Sequence, residues 1–566
     1  MSVLHRLRVW ALLPLIISVV CVPSLMAKPR KSPPNIIVIL VDDMGYSDIS
    51  SFGGEIPTPN LDTLADNGLR YSQFYNMARC SPTRAALLTG LYPHAAGLGY
   101  LESKSEPDSK GSFGKLQTRA VTMAEVLGDA GYLTAITGKW HLGMSWGVNP
   151  WDRGFQRSLV AGYGEIFYPD QIRNQRLHEL FDFQTDYLHL NGEKIPLKDK
   201  RAGQGTWYGT DLWTRWGERF IDEAIDKDKP FFLYLAHITP HFPVMAPEED
   251  IARFRGRYLR NWEELRERRF ERQKAMGLHK GVAALPDFLP EAYDWDKLNN
   301  EQRQRFDEIM AIYAASISRL DYSVGDLVFH LKDRGVFDNT LIMFMSDNGG
   351  NAESGPDGRL DYHETESGRP SIFPGMSWAT VQNTPFSYFK HHTQEGGIAT
   401  PMIAHWPNGI AKSRRGKIER TPLHVVDIMA TALDITGAKY PKRYNDTAIL
   451  PYDGVSFAPT FKGRKVKRGR PIYWEHEGNK AIRDGAWKAV GPLNGKWELY
   501  NIEKDRTEMT NLAAKDPERL ASMKAQWEEW AAENFVDEWI EEPGRRSWGG
   551  HNVVKHPEAQ YQSSSK

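Results

Sequence analysis

Two stretches of the chain place hard oxygen donors directly after apolar, strand-forming runs. Residues 36–41 lead into Asp42-Asp43-Met44-Gly45, and residues 341–345 lead into Ser346-Asp347-Asn348-Gly349-Gly350. Either pair alone is most simply a helix N-cap or an Asx turn. Together, three carboxylates and an amide oxygen suit Ca²⁺ or Mg²⁺ rather than a softer metal. No Cys/His cluster with zinc-ligand spacing is present in the sequence. Cationic groups follow other apolar runs. In Gly138-Lys139-Trp140-His141, an extended backbone would project Lys139 and His141 to one side. Residues 231–236 run into His237-Ile238-Thr239-Pro240-His241-Phe242-Pro243. One of these imidazoles is expected to be merely solvated, and His241 is taken as the functional one. Lys390 precedes Glu395-Gly396-Gly397, and alone it reads as a solvent-facing loop lysine. Cys80 stands in Cys80-Ser81-Pro82-Thr83-Arg84, and a lone cysteine is more often a small buried hydrophobe.

The elements that must position these groups alternate between two periodicities. Strand-like runs at 36–41, 133–137, 231–236, 341–345 and 402–405 are short and almost continuously apolar, as in a parallel sheet buried on both faces. Helix-like segments at 59–67, 122–129, 213–226 and 308–334 lie between them. The pattern predicts an α/β sandwich with a large, mostly parallel sheet between helices. Such sheets bind ligands at the carboxyl ends of their strands, where the acidic pairs fall. Residues 251–277, rich in Arg and Glu, read as a solvated amphipathic helix. After about residue 463 the grammar changes. Short runs at 471–476, 481–483, 487–490 and 497–500 read as antiparallel strands, and 517–533 as a closing helix. This predicts a small C-terminal α+β subdomain at 464–543, with 35–463 as the main domain and 544–566 as a disordered tail.

The chain has 566 residues, 41% of them apolar, and a formal net charge of −1. Its length suffices for one large domain and a smaller one. No global field steers it to nucleic acid or to an anionic membrane, so an anionic ligand must be drawn by a local cluster. Arg6 and Arg8 precede an apolar stretch at 9–22, and Leu25-Met26-Ala27 could end a cleavage site. That stretch is short for a membrane span, which predicts a signal peptide at 1–27, export to a periplasm or the outside, and no stable membrane insertion. Cys21 follows Val20 rather than the small residue a lipobox requires. The chain has two cysteines, so cleavage leaves Cys80 as one thiol that cannot form an internal disulfide.

Cys-x-Pro-x-Arg, with the motifs above standing in the same order, resembles the type I sulfatase family, and most closely the bacterial arylsulfatases. The matching pieces are Asp42-Asp43-Met44-Gly45, Cys80-Ser81-Pro82-Thr83-Arg84, Gly138-Lys139-Trp140-His141, Pro240-His241, Ser346-Asp347-Asn348-Gly349, and Lys390 with Glu395-Gly396-Gly397. Asn383-Thr384-Pro385-Phe386 and the charged helical insertion before Tyr313 add the arylsulfatase likeness, and Glu498-Leu499-Tyr500-Asn501-Ile502 resembles the family's final subdomain. The resemblance implies an alkaline-phosphatase-like sandwich and hydrolysis of an aryl or carbohydrate sulfate ester. It implies that a maturation enzyme oxidises Cys80 to formylglycine, whose hydrate is the nucleophile. It further implies that Asp42, Asp43, Asp347, Asn348 and modified Cys80 hold one divalent cation, Ca²⁺ or else Mg²⁺. Arg84, Lys139, His141, His241 and Lys390 would then offset the sulfuryl charge. Asp347 would serve as base for the attacking hydroxyl, His241 or Lys390 as acid for the leaving oxygen, and His141 as acceptor of the second hydroxyl's proton. Two other readings share these residues. One is a phosphonate monoester or phosphodiester hydrolase of the same superfamily. The other is a non-catalytic protein that binds sulfated glycans. Pocket-lining loops are expected at 97–114, 162–170 and 353–378.

Overall fold

The computed structural model describes residues 32–102, 109–161, 165–171, 187–203, 205–280, 282, 284–363 and 365–539. The expected export segment at 1–27 and the tail at 544–566 lie outside them, as do parts of the loops at 97–114 and 162–170. Among the described residues, no helix is long and apolar enough to cross a membrane.

The apolar runs become the centre of an 11-stranded sheet. Its strands are β1 (Asn35–Val41), β2 (Leu69–Tyr75), β3 (Leu133–Gly138), β4 (Arg157–Ala161), β5 (Tyr187–Leu190), β6 (Glu193–Pro196), β7 (Phe231–Ala236) and β8 (Thr340–Ser346). After a separate two-stranded hairpin of β9 (Arg359–Asp361) and β10 (Ser371–Phe373) come β11 (Ala399–His405), β12 (Lys417–Glu419) and β13 (Leu423–His424). The order across the large sheet is β12-β2-β11-β8-β1-β7-β3-β4-β5-β6, with β13 also pairing to β2. β1 runs parallel to β7 and β8, and β3 runs parallel to β7 and β4. All residues of β1, β3, β7 and β8 are buried, as continuous apolar runs in a two-sided sheet require.

Helices cover both sides of the sheet's core. The helix Gly209–Asp226 packs against β3 and β7, and the helix Asn300–Asp333 packs against it. The latter starts earlier than the expected 308, because Asn299 and Gln302 form a capping box upstream. β11 departs from the parallel expectation by running antiparallel to both β8 and β2. β2 had no apolar run to announce it, since its sequence Leu-Arg-Tyr-Ser-Gln-Phe-Tyr mixes polar and apolar residues without a regular period.

The charged segment at 251–277 corrects the expectation of a solvated helix. Its helix, Trp262–Ala275, buries Arg266, Arg269 and Gln273 beside Trp262 and Phe270. Arg269 is fully buried and reaches Asp48 and Glu55. Beyond the main sheet, Ile472–His476, Asn479–Asp484, Trp487–Gly491 and Glu498–Asn501 form a four-stranded antiparallel sheet, on which the helix Pro517–Glu533 packs. Buried Glu395 ties this sheet to the main one, accepting from Lys488 at 3.1 Å, Arg506 at 2.9 Å and Tyr75 at 3.0 Å.

Candidate active site

Every group singled out by chemistry arrives at one edge of the large sheet. The register pairs Val41 with Ser346, Leu40 with Ala236, and Gly138 with Ala236. The carboxyl ends of β1, β8, β7 and β3 therefore deliver Asp42, Asp347, the His241 loop and Lys139 side by side. β2 runs parallel to β8, since both are antiparallel to β11, and its carboxyl end feeds the helix that begins at Cys80. β11 runs the other way, so its starting end, with Lys390 just upstream, meets the same edge. Two glycines make this crowding possible. A Cβ on Gly138, at φ +100°, would stand 1.9 Å from the Ala236 carbonyl oxygen. One on Gly349 would stand 1.9 Å from the Gly396 oxygen, which is why the two Gly-Gly motifs pack back to back.

Asp42, Asp43 and Asp347 each offer an oxygen within 4.8 Å of the others, and all are buried. Successive residues of a strand point to opposite faces. Asp43 breaks that alternation with a left-handed backbone, φ 65°, and so both aspartates reach one cluster. Asn348 Nδ2 donates to Asp43 Oδ1 at 2.7 Å. Asp42 Oδ1 and Asn348 Oδ1 are buried and accept no hydrogen bond from the described residues. Two orphaned oxygens among clustered carboxylates are what a hard cation would satisfy. The chemistry of the oxygens of Asp42, Asp43, Asp347 and Asn348 therefore fits a hard divalent cation.

The cations interleave with these carboxylates. Arg84, fully buried, donates from Nη2 to Asp347 Oδ2 at 2.8 Å and lies 3.3 Å from Asp42 Oδ2. Lys139 Nζ donates to Asp42 Oδ2 at 2.6 Å and to Glu165 Oε1 at 2.9 Å. Lys390 Nζ sits 2.8 Å from Asp43 Oδ1 and 3.3 Å from both His241 Nε2 and Glu353 Oε2. His241 Nδ1 lies 2.6 Å from the Phe242 carbonyl, which accepts from it, and Nε2 faces Lys390. Burial pushes the Asp42 carboxyl up, but Lys139, His241 and Arg84 outweigh it and hold Asp42 far below the usual range. Asp347 goes the other way, to about 7, through burial and the neighbouring Asp42 charge. Burial would also lower Lys139, yet Asp42 and Glu165 keep it firmly protonated. For His141, burial and then the Lys139 charge hold the imidazole neutral.

Cys80 is the first residue of the helix Cys80–Thr89, and every residue of that helix is buried. Burial raises its thiol to about 11, so an unmodified Cys80 carries little thiolate at neutral pH and is a poor nucleophile. Thr83 Oγ1 donates to the Asp347 carbonyl at 2.6 Å and locks this turn to the end of β8.

The structure brings together every side chain that the sequence marked for the site, but one reason for the choice was wrong. β3 ends at Gly138 and His141 has φ 58°, so Lys139 and His141 meet through a turn rather than along an extended strand. His237 is fully buried rather than solvated, and burial lowers its pKa to about 3. Four polar residues were missed by motif. Glu165 supports Lys139, and Asn351 bridges Asp43 and Glu353. Glu353 binds Arg79, Lys390 and His391, and Arg79 precedes Cys80 directly in the chain. Only Glu165 and Glu353 had a signal, as members of the expected pocket loops.

Comparison with known proteins accords with this geometry. The sequence model of the family named Sulfatase matches residues 34–438. An arylsulfatase of Klebsiella aerogenes is 37% identical over 76% of this chain and 92% of its own length. An uncharacterised sulfatase of Schizosaccharomyces pombe is 32% identical over 89% of this chain and 94% of its own. The crystal structure of Ps i-CgsB in complex with k-i-k-neocarrahexaose is 29% identical, covers 91% of this chain and 96% of its own, and superposes with a TM-score of 0.65. With the family match running through both acidic strand ends and Cys80, this chain belongs to the sulfatase family and is a sulfuric ester hydrolase.

Proposed function

We propose that the protein hydrolyses an aryl or carbohydrate sulfate ester to an alcohol and inorganic sulfate, with formylglycine made from Cys80 and one divalent cation, Ca²⁺ for preference. The observation that carries this reading is the pair of orphaned oxygens, Asp42 Oδ1 and Asn348 Oδ1, at the strand edge that receives Cys80. An arylsulfatase relative supports the aryl class, and a similar structure bound to k-i-k-neocarrahexaose supports the carbohydrate class.

Asp42, Asp43, Asp347 and Asn348 would hold the cation, which when bound offsets the charge of the sulfuryl group. The hydrated aldehyde would supply one hydroxyl for attack on sulfur and a second that allows release. The remaining steps belong to ordinary side chains. Arg84 fixes Asp347 Oδ2 and pairs with Asp42. Lys139 and Lys390 present fixed positive charge to the sulfuryl oxygens. Lys390 and His241 share a proton across 3.3 Å, and the pair delivers it to the leaving oxygen. Neutral His141 accepts the proton of the second hydroxyl. A signal peptide at 1–27 would export the chain after a maturation enzyme has acted. The main domain would span 35–463, and the C-terminal subdomain 464–543.

The deciding experiment is mass spectrometry of the Cys80 peptide, paired with turnover of nitrophenyl sulfate. Aldehyde at Cys80 with turnover supports the reading, and a quantitative thiol with full turnover overturns it. Faster turnover of phosphodiesters than of sulfate esters would favour the phosphonate or phosphodiester alternative.

A further inference from the structure

The two lysines of the pocket are held in the same way. Lys139 bridges Asp42 on its inner side and Glu165 on its outer side. Lys390 bridges Asp43 on its inner side and Glu353 on its outer side. The inner carboxylates belong to the candidate cation site. The outer glutamates lie outside the Asp42-Asp43-Asp347 group, although Glu165 also clusters with Asp42 and His241, and both come from loops rather than from strand ends. Each is nearly closed off from water, with side-chain exposure of 10% for Glu165 and 5% for Glu353. A pocket built only to attract anions would leave these lysines uncompensated. Here each lysine meets a second buried carboxylate, Glu353 being shared with Arg79 and His391.

We propose that Glu165 and Glu353 are specificity-determining residues that tune this pocket to a monoanion and against a dianion. The inference rests on the sulfate-ester reading above. A sulfate monoester carries one negative charge. A phosphate monoester carries nearly two at pH 8, since its second pKa is about 6. The product, inorganic sulfate, also carries two. A fixed carboxylate repels a dianion twice as strongly as a monoanion at the same place. With an effective dielectric of about 20 and a separation of about 8 Å, the extra charge is worth roughly tenfold or more in affinity. The two glutamates would thus reject phosphate monoesters and help expel the product, while costing the true substrate less.

The test compares ligands that differ in charge on one variant. The variants are Glu165→Gln and Glu353→Gln, which keep side-chain shape, with Glu165→Asp as the charge-retaining control. For each, kcat/KM is measured at pH 8 on 4-nitrophenyl sulfate, 4-nitrophenyl phosphate and bis(4-nitrophenyl) phosphate. The ratio of phosphate monoester to sulfate should rise about tenfold in the Gln variants. The ratio of the monoanionic diester to sulfate should stay put, and Glu165→Asp should resemble the parent. A second readout needs no turnover. In a Cys80→Ala background, calorimetry should show each Gln change tightening inorganic sulfate about tenfold more than methyl sulfate. An unchanged monoester ratio, a diester ratio rising in step with it, or equal shifts for the two sulfates would each overturn the proposal. Those failures are separable from failure of the function itself, which would appear as a parent enzyme inactive on sulfate esters.

Discussion

Arg84 and Arg269 are both fully buried guanidiniums that grip aspartates close to the end of β1, and their surroundings differ in one respect. Around Arg269 the polar accounting closes. Its Nε and Nη2 donate to Glu55 at 2.8 Å, and its Nη1 reaches Asp48 at 2.9 Å and Ser47 at 3.0 Å. Asp48 Oδ2 accepts from the Gly45 amide and the Tyr313 hydroxyl, each at 2.8 Å. Around Arg84 it does not close, because Asp42 Oδ1 and Asn348 Oδ1 have no donor among the described residues and three carboxylates crowd within 4.8 Å. A buried charge network that satisfies itself is architecture, and it costs stability to break. One that leaves acceptors unmet has room for something from outside. Burial and ion pairing are shared by both, so neither by itself marks a functional site.

The largest expected effect falls on the open network. Cys80→Ala should lower turnover by a factor on the order of 10⁴ or more, as for other nucleophile deletions, with the melting temperature nearly unchanged. A folded variant with parental kcat/KM would end the reading of Cys80 as precursor of the nucleophile. Next, strong chelation should abolish activity and lower the melting temperature, and added Ca²⁺ or Mg²⁺ should restore both. Asp42→Asn should weaken calcium binding in calorimetry. Restoration by zinc alone would contradict the oxygen-donor set.

His241→Ala should cost about 10²–10⁴-fold on a sugar sulfate, where the leaving oxygen is basic, and far less on nitrophenyl sulfate. The measurement is kcat/KM across esters graded by leaving-group acidity. An unchanged slope would remove His241 from proton delivery. Arg269→Met tests the closed network directly. Leaving Asp48 and Glu55 without their cation should cost about 3–5 kcal/mol in denaturant unfolding, with kcat per folded molecule held. If activity falls with no loss of stability, the contrast between the two arginines fails.

The smallest effect concerns pH. Burial lowers His237 and His424 to about 3 from 6.5. The unfolded chain therefore binds more protons than the folded one between about pH 3 and 6.5. Stability from these groups is fully present above 6.5 and falls on acidification, by at most about 1.4 kcal/mol per pH unit for each histidine. His237→Gln should flatten that dependence, monitored by thermal melts between pH 4 and 7. The same change at His241 should alter turnover.

The sequence by itself determined the kind of fold and most of the site. Continuous apolar runs of strand length, alternating with helix-length amphipathic segments, point to central strands of a two-sided sheet, and the residues just after parallel strands gather at one edge. For that reason Asp42, Asp43, Asp347, Asn348, Lys139 and His241 were legible as a group before any coordinate. Other features needed tertiary structure. β2 mixes polar and apolar residues without a regular period, and β11 turns antiparallel, so neither the place of Cys80 nor that of Lys390 could be read from local pattern. The charged helix Trp262–Ala275 looked solvated because its partners, Asp48 and Glu55, lie more than two hundred residues away. Glu165 and Glu353 sit in loops without periodicity, and their partners are lysines on distant segments. A charge in a sequence carries no sign of whether its counter-charge will be water, a salt bridge or a ligand. That depends on which other side chains the packed chain brings within a few ångströms, and on which of their atoms are left unmatched.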